Sequence, residues 1–279
     1  MKVLITGANG FVGIHLTQHL RSQNYEIIPI TRKEIGNIDA QTNWLDKLQN
    51  IDCVIHLANR AHVMKTEANA ESLFEEINVN AFQKLIIDCE KSNVSQLIYL
   101  SSIKVNGEIT TDKPFNANDI PNPKGAYAIS KLKAEKLLQN SQLNWTIIRP
   151  PLIYGKGVKG NFKVLMKLIN KNIPLPLANI NNKRSLLSIE NLVDLITLCI
   201  GNKKAYQQIF LASDNKDIST TELIKTIAKK NQKSPTLFKF PLLKLLTTII
   251  GKKTQYNRLT QSLQLDISKT ISILNWKPK

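Results

Sequence analysis

Met1-Lys2-Val3-Leu4-Ile5-Thr6-Gly7-Ala8-Asn9-Gly10-Phe11-Val12-Gly13 opens the chain, and apolar spacing continues through Leu16 and Leu20. A short β-rich run leads into a glycine turn and then a helix, the context that a dinucleotide-binding loop requires. Gly7 permits the tight turn, Gly10 lets the backbone approach a pyrophosphate, and Gly13 lets the helix pack on the strand. Asn9, Phe11 and Val12 complete the loop and the first helical turn. Free N–H groups and the positive end of the helix dipole favour phosphate there.

A second strand, Glu26-Ile27-Ile28-Pro29-Ile30, ends in Thr31-Arg32-Lys33-Glu34. An acid at the strand end would hold a ribose 2′-hydroxyl. Arg32 and Lys33 suit a 2′-phosphate instead, so NADP(H) is expected, with NAD(H) as the alternative. Further strands are expected near 53–57, 97–100, 146–149 and 208–211, with helices between them, notably over 72–92 and 125–139. Such alternation predicts an α/β fold, a Rossmann-type doubly wound parallel sheet. A smaller, discontinuous C-terminal substrate region is expected to accompany it. The nucleotide-binding part would span 1–151 and about 184–215, and the substrate part about 152–183 and 216–279.

Tyr127 and Lys131 lie four residues apart in Tyr-Ala-Ile-Ser-Lys, on one face of the 125–139 helix. An ammonium beside a phenol lowers its pKa and suits it to proton transfer. Leu97-Ile98-Tyr99-Leu100-Ser101-Ser102 reads as a buried strand with hydroxyls at its C-terminal end, where parallel sheets bind ligands. Ser102 there suits either a hydrogen bond to a carbonyl oxygen or a turn cap.

These residues together resemble the extended short-chain dehydrogenase/reductase family of nucleotide-sugar epimerases, dehydratases and reductases. The resemblance covers nearly the whole chain. Residues 6–13 match the cofactor loop, and Val54-Ile55-His56-Leu57-Ala58 matches a strand motif that places Leu57 and Ala58 at the cofactor. Asn78-Val79 matches a helical motif that braces the sheet, and Ser102, Tyr127 and Lys131 fall on the catalytic triad. Arg149-Pro150-Pro151-Leu152-Ile153-Tyr154-Gly155 matches the segment beside the nicotinamide, with Pro150 against the cofactor. The segment from Arg184 through Val193 matches the arginine strand near the substrate diphosphate.

Finer matches, such as Asn182-Lys183-Arg184-Ser185-Leu186, are similar to the UDP-4-keto-6-deoxy-N-acetylhexosamine reductases of bacterial O-antigen synthesis. Asn106 and Leu152 depart from residues common in epimerases. The resemblance therefore implies NADPH-dependent reduction of a C4 ketone on a UDP-sugar, in the cytoplasm. Tyr127 would donate the proton, Ser102 would hold the oxygen, and Lys131 would tune the phenol and bind the nicotinamide ribose. Arg184 and Arg258 would take the diphosphate, while Lys104 and Asn161 would line the sugar pocket. A NAD-dependent UDP-sugar 4-epimerase is the main alternative, and a non-catalytic cofactor sensor is the second. Relatives commonly form homodimers and continue with another helix past the Trp276-Lys277-Pro278-Lys279 motif.

The 279 residues are 42% hydrophobic, enough for a large core. Lys2 is followed at once by the strand, so no signal peptide is expected. Cys53, Cys89 and Cys199 sit in apolar contexts without metal or disulfide spacing, and read as reduced cytosolic thiols. Net charge is +17. Its lysines are scattered and no nucleic-acid motif accompanies them, so nucleic acid is not an expected partner. Phe238-Lys239-Phe240-Pro241-Leu242-Leu243-Lys244-Leu245-Leu246-Thr247-Thr248-Ile249-Ile250 is apolar and precedes Gly251-Lys252-Lys253. Core packing is expected for it, with peripheral membrane contact as the alternative.

Overall fold

Alternate residues of the first strand, β1 (Lys2–Thr6), enter different cores. Val3 and Ile5 pack on one face of the sheet and Leu4 on the other. The same period of two recurs in β3 (Cys53–His56) and β4 (Gln96–Leu100), where Ile55 and Ile98 share the first core and Val54 and Leu97 the second. A strand buried on both faces reads as a continuous apolar run, as these do.

This is a computed structural model that describes residues 1–60, 70–158 and 160–279, with backbone only at Ala70 and Asn161. The remaining strands are β2 (Glu26–Ile30), β5 (Asn144–Arg149), β6 (Leu152–Tyr154), β7 (Leu186–Ser188) and β8 (Gln208–Leu211). Six of them form one sheet in the order β2-β1-β3-β4-β5-β8, every pairing parallel, and β6 and β7 form a separate parallel pair. The order reverses at β1, which leaves a crevice beyond the carboxyl ends of β1 and β3.

The helices in chain order are α1 (Phe11–Ser22), α2 (Arg32–Ile35), α3 (Ala70–Glu75), α4 (Ala81–Lys91), α5 (Gly125–Gln139), α6 (Gly160–Asn170), α7 (Ile189–Cys199), α8 (Thr220–Lys230), α9 (Leu243–Ile249), α10 (Lys253–Thr260) and α11 (Ser268–Leu274). Leu16 and Leu20 of α1 join Leu192, Leu195 and Ile196 of α7 in the first core. Phe82 and Leu85 of α4 join Ala134 and Leu138 of α5 in the second.

The helix expected over 72–92 is interrupted. Residues Glu76–Asn80 form a π-turn between α3 and α4. Asn78 explains it: Oδ1 accepts from Arg60 N at 2.8 Å, while Nδ2 donates to Arg60 O at 3.2 Å and Ser130 Oγ at 3.1 Å. A buried amide with several fixed partners outweighs the one helical bond lost.

Residues from α6, α8, α9 and α10 build a third cluster around Ile169, Leu175, Leu177 and Ile224. The final segment, expected in the substrate region, packs elsewhere. Leu263, Leu265, Ile267, Leu274 and Trp276 belong to the first core. Trp276 Nε1 donates to Asp194 Oδ2 at 3.0 Å, which fixes its ring against α7. The expected core packing of the apolar 238–250 segment is not found. Leu242, Leu245, Leu246, Ile249 and Ile250 are exposed, because α9 turns only Leu243 toward the third cluster. All three cysteines are buried and free. Among the described residues no helix is long and apolar enough to cross a membrane.

Candidate active site

The glycine loop lies at the crevice between β1 and β3. Gly7 adopts φ +68°, and a Cβ there would stand 2.9 Å from Ala58 N. A Cβ on Gly13 would run into Gly7 O and lie 2.7 Å from Ala8 Cα. Loop, strand end and helix therefore meet at backbone distance. Gly10 caps α1 without a side chain, and the first turn carries no acid. The first intrahelical bond is Ile14 N to Gly10 O at 3.0 Å, so the amides of Phe11, Val12 and Gly13 precede the ladder and are available to an anion. Asn9 is exposed in the loop. Across the crevice Leu57 N donates to Thr6 O, and Ala58 N to Thr6 Oγ1 at 3.2 Å. These features fit a dinucleotide pyrophosphate.

Arg32 and Lys33 stand exposed at the end of β2. Glu34, the nearest acid, is folded back: its carboxylate accepts from both the amide and the hydroxyl of Thr31 in a capping box. Those bonds hold its pKa below the usual carboxylate value. The acid is thus committed to the helix start and leaves the two cations at the strand end.

Beyond β4, Ser102 caps a short 3₁₀ turn over Ile103–Val105, its Oγ accepting from Lys104 N at 3.3 Å. Its side chain also acts on the Tyr127 phenol, where it opposes the rise in pKa that burial causes. The cap reading of this serine is therefore met by its bond from Lys104 N. Ile103 N donates to Pro150 O at 3.0 Å, tying this turn to the end of β5. Tyr127 lies in the first turn of α5, its ring edge-on to Phe74 with centroids 5.9 Å apart.

Lys131 is buried, donates from Nζ to Leu100 O at 2.9 Å and lies 4.4 Å from the Tyr99 ring centroid. Burial pulls its pKa down from 10.5 to about 7, opposed by the Glu135 carboxylate. The expected lowering of Tyr127 by Lys131 is not what the protein alone displays. Burial pushes the phenol up to about 12, and the opposing influence is the Ser102 hydrogen bond. A lysine that is itself half-discharged near neutrality, and aimed at a carbonyl and a ring, gives the phenol little positive field.

Beneath the triad lies a network that sequence reading missed. Ser101 Oγ donates to Glu135, which pairs with Arg149, and Arg149 Nη1 donates to Asn106 Oδ1 at 2.9 Å. Asn106 Nδ2 donates onward to Asn116 O at 2.9 Å. Asn106 is thus a structural partner of Arg149. The available signal was spacing: Glu135 follows Lys131 by four residues, as Lys131 follows Tyr127.

On the other side of Tyr127, Lys104 Nζ stands 5.7 Å from its ring centroid. Lys104 Nζ and Arg258 Nη2 share one carboxylate oxygen of Glu108, at 3.5 and 3.4 Å. Arg184 donates from Nη1 to Gln261 O at 3.0 Å, and its pKa is lowered by burial and by the field of Arg258. Burial and Arg258 likewise lower Lys104, against Glu108. Two cations beside one carboxylate, with Arg184 in the field of the second, leave unsatisfied positive charge near Tyr127, which suits a diphosphate. The side chain of Asn161 lies outside the described residues.

The family model "NAD dependent epimerase/dehydratase family" matches residues 3–212. The chain is 41% identical over 297 aligned positions to a UDP-glucose 4-epimerase of Vibrio cholerae, covering 99% of this chain and 90% of that protein. It is 27% identical to the N-acetyl-alpha-D-glucosaminyl-diphospho-ditrans,octacis-undecaprenol 4-epimerase of Escherichia coli O157:H7, over 90% and 82% of the two chains. Among solved structures, MoeE5 in complex with UDP-glucose and NAD superposes with a TM-score of 0.81 at 21% identity, covering 100% of this chain and 94% of that one. The chain belongs to the NAD-dependent epimerase/dehydratase family, whose enzymes act on nucleotide sugars.

Proposed function

We propose that this protein reduces the C4 ketone of a UDP-4-keto-6-deoxy-N-acetylhexosamine with NADPH, in bacterial surface polysaccharide synthesis. The observation that carries the reading is the end of β2, where Arg32 and Lys33 are exposed while Glu34 is bound back to Thr31. That arrangement suits a 2′-phosphate and offers no carboxylate to a free ribose 2′-hydroxyl. A bound nicotinamide dinucleotide supplies the hydride. The Phe11, Val12 and Gly13 amides hold its pyrophosphate, with Leu57, Ala58 and Pro150 lining the crevice. Tyr127 gives its phenolic proton to the oxygen that forms at C4, and Ser102 hydrogen-bonds the same oxygen. Lys131, drawn from Leu100 O to the ribose, supports the phenolate left behind. Arg184 and Arg258 clamp the substrate diphosphate beside Lys104.

A second reading is a NAD-dependent UDP-sugar 4-epimerase, and the 41% identity to the Vibrio cholerae UDP-glucose 4-epimerase favours it. Both readings use the same triad. They separate on the cofactor: the reductase consumes NADPH, whereas an epimerase recycles bound NAD. Purified protein assayed with NADPH and the 4-keto sugar, and in parallel with UDP-glucose alone, tests the two together. NADPH consumption in the first supports the reductase. Conversion of UDP-glucose to UDP-galactose without added reductant overturns it.

A further inference from the structure

The catalytic machinery uses nothing between residues 238 and 253. Leu242, Leu245, Leu246 and Ile249 follow the i, i+3, i+4, i+7 spacing of one helical face, and all are exposed, Ile249 at 71%. Leu243 points the other way and packs with Leu259 of α10 in the third cluster, which fixes the orientation of α9. Exposed apolar stripes of this kind mark contact surfaces.

Charge narrows the partner. Residues 223–265 contain nine Lys and Arg and no Asp or Glu. Lys239, Lys244, Lys252 and Lys253 are exposed around the apolar face. A two-fold contact between copies of this chain would set lysines against lysines with no carboxylate in the segment to offset them. Nucleic acid offers phosphates but no apolar phase to accept four aliphatic side chains.

We propose that this face docks on the surface of an anionic lipid bilayer. The four aliphatic side chains enter the boundary between headgroups and acyl chains, and the lysines contact lipid phosphates. Helix α9 packs against α10, which carries Arg258, so docking holds the cationic side of the active site close to the bilayer. The proposal is independent of which reaction the site performs.

Flotation of the purified full chain with vesicles tests it, using phosphatidylcholine alone and phosphatidylcholine mixed with phosphatidylglycerol. Binding is expected to the mixed vesicles, to weaken with salt, and to fall roughly a hundredfold when Lys244, Lys252 and Lys253 are changed to Gln. A Leu245→Asp/Ile249→Asp variant should lose binding while keeping its thermal unfolding midpoint and its NADPH affinity. The lysine variant keeps the test decisive if the aspartates disturb folding. No binding to mixed vesicles, equal binding to both compositions, or binding indifferent to the lysines would overturn the proposal. So would a stable dimer in light scattering that the Ile249→Asp change dissociates.

Discussion

Glu135 holds the Arg149 guanidinium bidentately along its Nε–Nη2 edge inside the protein, the side chains being 1% and 2% exposed. The same carboxylate accepts from Ser101, directly before the triad serine, and sits one helical turn beyond Lys131. It therefore joins the end of β4, the end of β5 and helix α5.

Removing one charge from this pair leaves the other buried without a partner. Glu135→Gln is expected to destabilise the protein by roughly 3–5 kcal/mol, measured by urea unfolding. A change below about 1 kcal/mol would show that the pair contributes little to the fold. The variant should also depress Lys131 further, since Glu135 is the group that favours its charged form.

Lys131 makes a prediction whose sign follows from linkage. Its pKa in the folded protein is about 7 against an ordinary 10.5. Between those two values the unfolded chain holds a proton that the folded one lacks, so this lysine's contribution to stability rises with pH across that window. Lys131→Met removes the dependence. The difference in unfolding free energy between wild type and Lys131→Met should shift in favour of wild type as pH rises from neutral toward alkaline. A difference that stays flat with pH would mean that the lysine is not held in a desolvated site.

The strands were legible because Val3-Leu4-Ile5 and Val54-Ile55 are buried on both faces and carry little else. Helix α5 was legible over 125–139, where Tyr127 and Lys131 fall on one face. The π-turn at Asn78 was not, since residues 70–91 have ordinary helical composition and the distortion is fixed by distant partners, Arg60 and Ser130. The Glu135–Arg149 pair was equally hidden: each side chain reads as a solvated charge until the sheet and α5 are packed together. Exposure of Leu245 and Ile249 escaped for the opposite reason, because an apolar helical stripe in sequence does not say whether anything covers it. Arg184 and Arg258 were named for the diphosphate and Lys104 for the sugar pocket; that Lys104 and Arg258 share Glu108, with Arg184 in the field of Arg258, emerged only in three dimensions.

The cofactor reading rests on Arg32. Arg32→Ala should raise the KM for NADPH by roughly tenfold to a hundredfold, the value of a charge-assisted hydrogen bond, with little change for NADH. Steady-state kinetics with both cofactors measures it. Equal losses for the two would assign Arg32 no part in recognising a 2′-phosphate.

Gly13 tests the loop independently of catalysis. A methyl group there meets Gly7 O and Ala8 Cα, so Gly13→Ala must push α1 away from the loop. Cofactor affinity, followed by fluorescence titration, should fall at least tenfold, and the thermal midpoint should drop. Unchanged affinity would mean that the pyrophosphate is held elsewhere.

Tyr127 carries the central claim, and the most direct measurement is product formation from UDP-4-keto-6-deoxy-GlcNAc and NADPH, followed by NMR. Wild-type protein should yield a C4-reduced UDP-sugar with one NADPH oxidised per product. Tyr127→Phe should bind NADPH normally and turn over about 10²–10⁴-fold more slowly. Full turnover by Tyr127→Phe, or a wild-type protein that leaves NADPH untouched while interconverting UDP-glucose and UDP-galactose, would contradict it.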